Sequence, residues 1–232
     1  MINLHPRLLQ ITGLRKSFAG PEDTRQCIVA VPEFSLDAGA QLALAGESGS
    51  GKSTFLNLIA GILKPDAGSI FFNGTAVSDF SEPQRDRFRA QNIGYIFQTF
   101  NLLQGYTCLE NVLLGMSFGH GVDYVLAENL LKRVGLGDRL GHRPAQLSAG
   151  QQQRVAVARA LANNPRLVLA DEPTGNLDRK NSRAALALIR EVCRENGAAL
   201  LLVSHDAEVL GQFDDARDFS KINQAAVTEA AT

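Results

Sequence analysis

Eight consecutive residues in the first quarter of the chain, Gly46 to Ser53, have the types and spacing of a phosphate-binding loop. They read GESGSGKS and match the pattern GxxxxGK[ST]. Three glycines allow the backbone to turn its N–H groups inward, and the following helix contributes its positive end, so the main chain can bind phosphate oxygens. Lys52 supplies a positive charge for the β and γ phosphates, and the Ser53 hydroxyl is a suitable ligand for Mg²⁺.

The residues on either side of this octet predict the strand and the helix that such a loop joins. QLALA, which ends at Ala45, is predicted to be a short buried strand. Apolar residues then recur at helical spacing from Phe55 to Ile62, which predicts a helix over Thr54 to Leu63 that Lys64 and Pro65 end. This context argues against the alternative that the octet is only a glycine-rich turn.

Polar groups with possible chemical roles also follow three other predicted strands. Because ligands of open α/β sheets bind at the carboxyl ends of the strands, we expect these groups on the same edge as the phosphate loop. Each of them alone has an ordinary structural explanation, such as a solvated acidic turn or a surface histidine. The three strands and the groups that follow them are Asn92–Phe97 with Gln98, Arg166–Ala170 with Asp171 and Glu172, and Ala198–Val203 with His205.

The two carboxylates after the second of these strands differ in their expected chemistry. Asp171 can bind Mg²⁺ directly or through water, and Glu172 can accept a proton from an attacking water molecule. Both assignments depend on the phosphate loop, since Lys52 and Ser53 imply a bound phosphate and a metal ion. Together they predict a site for hydrolysis of a nucleoside triphosphate.

The N-terminal part of the chain predicts antiparallel strands. Strand patterns cover Leu8–Phe18 and Cys27–Val31, and a third, Ser69–Phe72, is followed by an Asn-Gly pair that is typical of a tight hairpin turn. Phe18 lies 34 positions before Lys52. Its ring either packs in the core or stacks against a nucleotide base, and the strand pattern alone leaves both possibilities open.

Strand signals give way to helical ones between about residues 99 and 162, which predicts a helical subdomain inserted into an α/β body. Two of its helices begin with capping boxes, Thr107 with Glu110 and Ser148 with Gln151. Further helices are predicted over Glu82–Gln91, Asp123–Val134 and Asp178–Asn196.

Length and composition indicate one large domain. The chain has 232 residues, of which 45% are hydrophobic, and we expect a single domain over residues 1–223 with a disordered tail over 224–232. The formal net charge of −1 gives no overall attraction to nucleic acid or to an anionic membrane. Three widely spaced cysteines indicate neither a disulfide framework nor a zinc site.

The N-terminus lacks the features of a signal peptide, and the longest apolar run is too short to span a bilayer. A reduced cytosolic compartment is the environment that fits the cysteine usage best. If the protein serves a membrane, another chain is expected to cross it.

The motifs together resemble those of the ATP-binding cassette (ABC) ATPases, the nucleotide-binding subunits of ABC transporters, over nearly the whole chain. The resemblance implies an α/β P-loop NTPase fold of the ABC ATPase type, with a mostly parallel core sheet, an N-terminal antiparallel β subdomain and an inserted helical subdomain. The motifs, in the order typical of that family, are GESGSGKS, YIFQ ending at Gln98, the signature LSAGQ from Leu147 to Gln151, LVLADE ending at Glu172, NLD ending at Asp178, and SH ending at His205.

The resemblance implies that the bound molecules are ATP and Mg²⁺ and assigns a role to each matching residue. Phe18 is expected to stack on adenine, with the phosphates bound by Gly46, Glu47, Ser48, Gly49, Ser50, Gly51, Lys52, Ser53 and Thr54. Catalysis is assigned to Glu172, His205, Lys52 and Gln98, and metal binding to Ser53, Gln98 and Asp171. The residues expected to bind ATP held by a second subunit are Ser148, Gly150, Gln151 and Asp178.

The implied partners are a second copy of the chain, joined through two ATP molecules, and an integral membrane permease. The implied location is the cytoplasmic face of the cell membrane, with no nucleic acid bound. The stretches FQTFNLL, TCLENV and ADEPTGNLD are most similar to ATPases of lipoprotein release, macrolide export and cell division, which indicates export or extraction of a substrate from the membrane. A soluble ABC-type ATPase of DNA repair or translation is the alternative, although the coiled coils, zinc modules or paired cassettes usual in those proteins are not apparent here.

Two departures from the family pattern lead to separate expectations. Ala149 replaces the usual glycine of the signature, adding a methyl group near the partner's nucleotide. The C-terminal sequence DDARDFSKINQ replaces the usual apolar strand pair, which predicts that the last edge of the sheet is weak or missing.

The apolar connector that contains Phe100, Leu102, Leu103 and Tyr106 either packs inside the helical subdomain or contacts the permease.

Overall fold

The two ends of the chain fold together, and the residues between them form a second unit. The computed structural model describes residues 7–20 and 25–225. In these ranges the first unit comprises the residues up to Asp86 and those from Val203 onward, and the second comprises residues 87–202. Residues 226–232, most of the predicted disordered tail, and residues 21–24 of the first predicted turn lie outside the described residues.

The first unit contains an antiparallel sheet whose four strands have the order Arg25–Asp37 (β2), Arg7–Ala19 (β1), Ala67–Phe72 (β4) and Thr75–Ala76 (β5). Asn73 and Gly74 form the two-residue turn between the last two, so the predicted hairpin is confirmed. The elements of this unit are β1 (Arg7–Ala19), β2 (Arg25–Asp37), β3 (Gln41–Ala45), α1 (Lys52–Ile59), β4 (Ala67–Phe72), β5 (Thr75–Ala76) and, after the second unit, α7 (Ala207–Leu210) and β9 (Asp215–Asp218).

Apolar side chains that alternate along β1 contribute to one apolar face of this sheet. Ile11 pairs with Phe34 of β2 and with Ile70 of β4, and all three side chains are buried. Successive side chains of a strand point to opposite faces, so this set lies on one side. The ring of Phe34 then packs edge-on against Phe55 of α1, with 5.3 Å between ring centroids. This packing places the first helix against the inner face of the sheet.

The final edge of the core sheet is present, which corrects the expectation from the C-terminal sequence. Strand β9 pairs in parallel with β3 over four residues, from Leu42 with Asp215 to Ala45 with Asp218. The sequence DARD gives no apolar alternation, and the side chains from Ala216 to Asp218 are exposed. The strand forms because its backbone pairs with β3, and its charged side chains suit an exposed edge.

Helix α1 is shorter than predicted. It ends at Ile59, and not near Leu63, because Gly61 adopts a left-handed conformation with φ of 67° and the amides of Ile62 and Leu63 both donate back to Asn57 O. The prediction of a helix to Leu63 was therefore wrong. The apolar side chain of Ile62, which continued the helical spacing, is exposed.

The second unit combines parallel strands with a group of packed helices. Strand β6 (Ile93–Ile96) pairs in parallel with β7 (Leu167–Asp171), and β8 (Ala199–Ser204) lies on the other side of β7. Its elements are α2 (Glu82–Asn92) and β8 (Ala199–Ser204), each of which crosses a unit boundary, together with β6 (Ile93–Ile96), α3 (Cys108–Ser117), α4 (Tyr124–Arg133), α5 (Ala149–Ala160), β7 (Leu167–Asp171) and α6 (Arg179–Glu195). The antiparallel sheet and these parallel strands confirm the α/β class.

The predicted helix starts in this unit are confirmed by their hydrogen bonds. Thr107 and Glu110 form a reciprocal capping box at the start of α3. Asp123 and Asp178 cap α4 and α6 through their carboxylates. Each cap satisfies backbone N–H groups that have no partner within the helix and contributes about 1 kcal/mol. The predicted helical segment, about 99–162, lies within this unit.

Candidate functional site

The phosphate loop connects β3 to α1 in the first unit. Gly51 is the N-cap of α1 and has φ of 91°, a left-handed conformation that side-chain-bearing residues rarely adopt. A Cβ atom at this position would lie 2.7 Å from Ile28 O, so space as well as conformation requires glycine. The loop therefore delivers backbone N–H groups to the positive end of α1, as an anion site requires.

The side chain of Lys52 reaches back to the first residues of this loop. Its side chain is only 6% exposed, and Nζ donates to Gly46 O at 2.6 Å and to Glu47 O at 2.7 Å. The Ser50 hydroxyl is buried nearby and has no hydrogen-bond partner among the described residues. A buried hydroxyl without a partner is unusual in a protein without ligands, and it fits a loop that binds phosphate oxygens. Ser53 and Thr54 follow in the first turn of α1.

Phe18 presents its ring at the surface. The side chain is 40% exposed, so core packing, one of the two open possibilities, is wrong. It lies near the end of β1, opposite Gln26 of β2, and the Lys16 ammonium is 5.6 Å from its ring centroid. Lys16 is in turn held by Asp66 at 2.8 Å. The exposed ring is available for stacking on a base, with a cation beside it.

His205 also belongs to the first unit. It directly follows β8 and is exposed. The preceding Ser204 is buried, and its hydroxyl accepts a hydrogen bond from the Asp206 amide at 3.1 Å. This contact fixes the turn that carries the histidine. The first unit thus contains the phosphate loop, Phe18 and His205.

The second unit contains Gln98, two residues beyond β6. Its carbonyl oxygen accepts a hydrogen bond of 2.6 Å from Asn176 Nδ2. A Cβ atom on Gly175 would lie 3.3 Å from Gln98 Nε2, so the two segments are in close contact. Sequence reasoning missed Asn176. Its signal was its place as the first residue of the NLD motif, which was given no role of its own.

The residues after Gln98 are held by Arg159 in the last turn of α5. Its guanidinium donates to Phe100 O at 2.7 Å and to Asn101 O at 2.5 Å. Phe100 and Asn101 both have positive φ, 59° and 50°, which is a strained conformation for residues other than glycine. Burial lowers the pKa of Arg159, and no carboxylate among the described residues forms a hydrogen bond or ion pair with it. No pattern in the sequence predicts this contact.

Beyond this point the apolar connector is held by Asn111 of α3. This fully buried side chain accepts from the Leu103 amide at 2.9 Å and donates to Thr107 O at 2.9 Å, with longer contacts to Leu103 O and Tyr106 O. Leu102 is buried, whereas Leu103 and Tyr106 are 42% and 45% exposed. Each predicted alternative therefore fits part of the connector. Leu102 packs inside, and the side chains of Leu103 and Tyr106 lie at the surface.

Asp171 and Glu172 lie at the end of β7, directly beside β6. Glu172 is half-buried and has φ of 44°, and its carbonyl accepts from the Gly175 amide at 3.1 Å. Such backbone strain persists only where the surrounding structure imposes it and is common at functional sites. Burial, and to a lesser degree the charge of Asp171, raises the pKa of Tyr95 in the adjacent strand above its ordinary value of 10.0.

The signature segment forms the start of α5. Ser148 Oγ accepts from the Gln151 amide, and Gln151 Oε1 accepts from the Ser148 amide at 3.0 Å, which completes the predicted capping box. Ser148 and Ala149 are exposed. A Cβ atom on Gly150 would lie 3.3 Å from Asn181 Oδ1. The helix start is therefore ordered and accessible, with free N–H groups at its positive end.

Asp178 is linked to this segment through Asn181. The backbone amide and the side chain of Asn181 both donate to the Asp178 carboxylate, and these bonds lower the pKa of Asp178. The second unit thus brings together Gly150 of α5 with Asn181 and Asp178 at the start of α6. Asn181 was missed from sequence, although its position three residues after a capping aspartate was a usable signal.

Neither a metal-binding cluster nor a membrane-spanning helix is present in the part of the chain that the structure describes. No group of three or more His, Cys, Asp or Glu side chains is placed to hold a metal ion within 7–20 and 25–225. No helix over those same ranges has the length and apolarity needed to cross a membrane. All three cysteines fall inside these ranges and are free thiols.

Comparison with known proteins gives consistent matches along most of the chain. The profile of one family, described as ABC transporter, matches residues 30–175. The lipoprotein-releasing system ATP-binding protein LolD of Shewanella oneidensis is 43% identical over 211 residues, covering 89% of this chain and 91% of the relative. LolD 1 of Caulobacter vibrioides is 45% identical over 204 residues, or 86% of each chain. The macrolide export ATP-binding/permease protein MacB of Rhodopirellula baltica is 42% identical, and the match covers 89% of this chain but 31% of that protein.

Solved structures show the same fold. A dimeric structure of the ATP-binding cassette MJ0796, in a post-hydrolysis state bound to ADP and Pi, superposes with a TM-score of 0.77 at 35% identity, covering 87% of this chain and 89% of that chain. The structure of cbiO1 from Clostridium perfringens, part of an ABC transporter complex, gives a TM-score of 0.76 at 26% identity, covering 89% and 82%. These matches confirm the fold type implied by the motifs.

Proposed function

Because this chain belongs to the ABC transporter family, and its enzymatic activity is ATP hydrolysis coupled to transport, we propose that it dimerises on ATP to drive a separate membrane permease. The work done would be export of a substrate or its extraction from the membrane. One observation carries the proposal: the chain has both an ordered phosphate loop, with Lys52 held inside it, and an exposed, capped signature helix starting at Ser148. A simple phosphotransferase needs only the first of these.

Lys52, with the loop amides, would bind the β and γ phosphates, exchanging at least one of its present bonds to Gly46 O and Glu47 O for phosphate oxygens. The remaining loop positions of the predicted set, up to Thr54, would contribute backbone amides and hydroxyls. Phe18 would stack on adenine through its exposed ring. ATP therefore fits the chemistry of the first unit, including the Ser50 hydroxyl that has no protein partner among the described residues.

The hydroxyl of Ser53, the carboxylate of Asp171 and the amide oxygen of Gln98 are oxygen ligands of the kind that Mg²⁺ prefers. Mg²⁺ would neutralise charge that develops on the phosphates. Glu172 would take the proton from the attacking water, and its strained backbone would fix the direction of its carboxylate. His205 would donate a hydrogen bond to the γ phosphate.

The signature residues Ser148, Gly150 and Gln151, with Asp178, would bind ATP held by a second copy of the chain. The dimeric relative bound to ADP and Pi supports this arrangement. The exposure of Ser148 and the free amides at the start of α5 support it physically, since an anion approaching from outside meets the positive end of that helix. The methyl group of Ala149 is exposed beside them, and we expect it to be tolerated.

The permease would contact the apolar connector through Leu103 and Tyr106. Both side chains are exposed on a segment that Asn111 and Arg159 hold in place, close in sequence to Gln98. The names of the relatives, which include a lipoprotein-releasing system and a macrolide export ATP-binding/permease protein, support transport over a role in DNA repair or translation. The subunit would then lie on the cytoplasmic face of the membrane, attached through its permease.

The central test is to purify the Glu172→Gln variant with ATP from solubilised native membranes. This change keeps the side-chain shape and removes the base, so ATP and the closed dimer should persist. We expect a two-fold dimer in light scattering, together with an integral membrane protein that stimulates hydrolysis when reconstituted with the wild-type subunit. A persistent monomer without a membrane partner, under saturating ATP, would contradict the proposal.

The permease surface has its own test. Leu103→Ser combined with Tyr106→Ser should leave ATP hydrolysis by the isolated subunit intact but abolish stimulation by the permease. Ile62→Ser is the matched control, because Ile62 is a similarly exposed apolar residue, at 44%, in the first unit. If the double variant is still stimulated as strongly as the control, the permease binds elsewhere.

A further inference from the structure

The chain segment after β9 packs directly beneath the phosphate loop. Phe219 is fully buried, and its ring lies 5.3 Å from that of Phe55 in α1. A Cβ atom on Gly46, the first residue of the loop, would lie 3.6 Å from Phe219 Cβ. This is the region where the C-terminal sequence departs from the usual family pattern, and it forms an ordered support for the loop.

Asn223 in the same segment joins the loop to the antiparallel sheet. Its Nδ2 donates to Ser50 O at 3.1 Å and to Ile28 O at 2.9 Å, and its Oδ1 accepts from the amides of Ala30 at 2.7 Å and Ala225 at 3.3 Å. The next residue, Gln224, donates its amide to Ala30 O at 2.8 Å. One carboxamide therefore satisfies backbone groups of β2 and of the phosphate loop at the same time.

The bond to Ser50 O has a directional consequence for the loop. A trans peptide is planar, and its C=O and N–H point in opposite directions. When Asn223 holds the Ser50 carbonyl on the outer side of the loop, the amide of Gly51 must point to the opposite, inner side. That amide is one of the donors of the phosphate nest, immediately before Lys52. The orientation of a phosphate-binding group is thus fixed by a side chain that does not touch phosphate.

We propose that Asn223 is a positioning residue for the phosphate loop and that nucleotide affinity depends on the docking of the C-terminal segment. The contact is close: a Cβ atom on Gly51 would lie 3.3 Å from Asn223 Nδ2 and 2.7 Å from Ile28 O, so no side chain fits between the loop and β2 at this position. This inference rests on the proposed function of the loop as the site of the nucleotide phosphates.

The size of the effect follows from the bond that is lost. Removing one neutral hydrogen bond, and with it the fixed orientation of one phosphate donor, should weaken binding by about tenfold. Coupling between two equilibria is reciprocal. A nucleotide that binds tenfold more tightly when the segment is docked must therefore suppress undocking of the segment by the same factor.

The first experiment measures the dissociation constant of ADP with Mg²⁺ by calorimetry, together with the urea midpoint. Asn223→Ala removes all four side-chain bonds, whereas Asn223→Asp keeps the acceptor for the amides of Ala30 and Ala225 but places a second oxygen against the carbonyls of Ser50 and Ile28. Ser220→Ala is the matched control, because it removes a hydrogen bond to Asp218 within the same segment.

We expect both Asn223 variants to weaken ADP binding by about tenfold and Ser220→Ala to leave it unchanged, even if all three lower the urea midpoint. Two outcomes would show that Asn223 only anchors the fold. In one, the loss of ADP affinity is proportional to the loss in urea midpoint in all three variants. In the other, Asn223→Asp binds ADP as tightly as the wild type. A wild-type protein that does not bind ADP would overturn the proposed function as well as this inference.

The second experiment uses only the wild-type chain and so does not depend on the variants folding. Hydrogen exchange is followed at the amides of Ala30 and Gln224, which bond across the docked segment, with and without saturating ADP and Mg²⁺. Both should exchange about tenfold more slowly with nucleotide. The amide of Asn73, bonded to Leu8 O on the antiparallel sheet, is the reference. Equal slowing at Asn73, or none at Ala30 and Gln224, would overturn the coupling.

Discussion

Replacing Arg159 by methionine should destabilise the second unit by a calculable amount. Two hydrogen bonds would be lost, to Phe100 O and Asn101 O. A hydrogen bond from a charged donor contributes roughly 1.5 to 3 kcal/mol, and the lower figure applies because the guanidinium is only half-buried, which gives roughly 3 kcal/mol for the pair. Release of the left-handed conformation at Phe100 returns about 1 kcal/mol. The expected net loss is about 2 kcal/mol.

The assay is urea unfolding of three proteins: wild type, Arg159→Met and Arg159→Lys. Lysine keeps the charge, but it lacks the planar guanidinium that donates to both carbonyls at once. We therefore expect it to recover about half of the lost free energy of unfolding. Without urea, both variants should be folded, so a loss of stability alone would leave ATP hydrolysis unchanged. We expect hydrolysis to fall nevertheless, because Gln98 lies directly before the segment that Arg159 holds. Identical urea midpoints and slopes for wild type and Arg159→Met would refute this account of the contact.

Three other predictions test separate parts of the molecule. Lys52→Ala should lower ATP hydrolysis roughly 100-fold or more while the far-ultraviolet circular dichroism is unchanged, since it removes the charge that we propose binds the γ phosphate; wild-type turnover, free of contaminating ATPases, would contradict this. Asn111→Leu should lower the free energy of unfolding by roughly 3 kcal/mol, because part-buried backbone groups of Leu103 and Thr107 lose their partners; a change below the error of urea unfolding would exclude this role. The Lys16 ammonium holds the pKa of Asp66 below its ordinary value of 3.8, so that stability is present above pH 3.8 and is lost as pH falls below it; Asp66→Asn should show a smaller loss in acid.

Local signals allowed the helix starts and the site residues to be predicted. The caps at Thr107, Ser148 and Asp178 follow from residues three positions apart, and such short-range hydrogen bonds form wherever the helix forms. The motif residues were predicted from other local signals, namely the phosphate-loop pattern, the predicted strand ends and the family resemblance, and their roles stay predictions. Their backbone strain could not: the positive φ at Glu172 is imposed by the fold, and glutamate has no preference for it.

Long-range contacts account for what the sequence did not predict. Strand β9 has no apolar alternation, and its existence depends on a pairing partner about 170 positions earlier in the chain. Arg159 and Asn111 bond to backbone carbonyls, which every residue has, so no pattern of side chains marks their partners. The end of α1 was misplaced because Ile62 continues the apolar spacing although Gly61 has already turned the chain.

The first unit is built from both ends of the chain, and this has a consequence for biosynthesis. During translation the second unit is complete once residue 202 has left the ribosome, whereas β3 must wait for β9 and the phosphate loop must wait for Asn223. Domains generally fold as units as the chain emerges, so the nascent protein carries an unfinished nucleotide site until its last residues are made. A premature stop after residue 202 and before Asp215 would release a chain with a complete second unit and an open edge at β3. Such a product would be exposed to aggregation through that strand, and it could not compete for ATP with finished subunits.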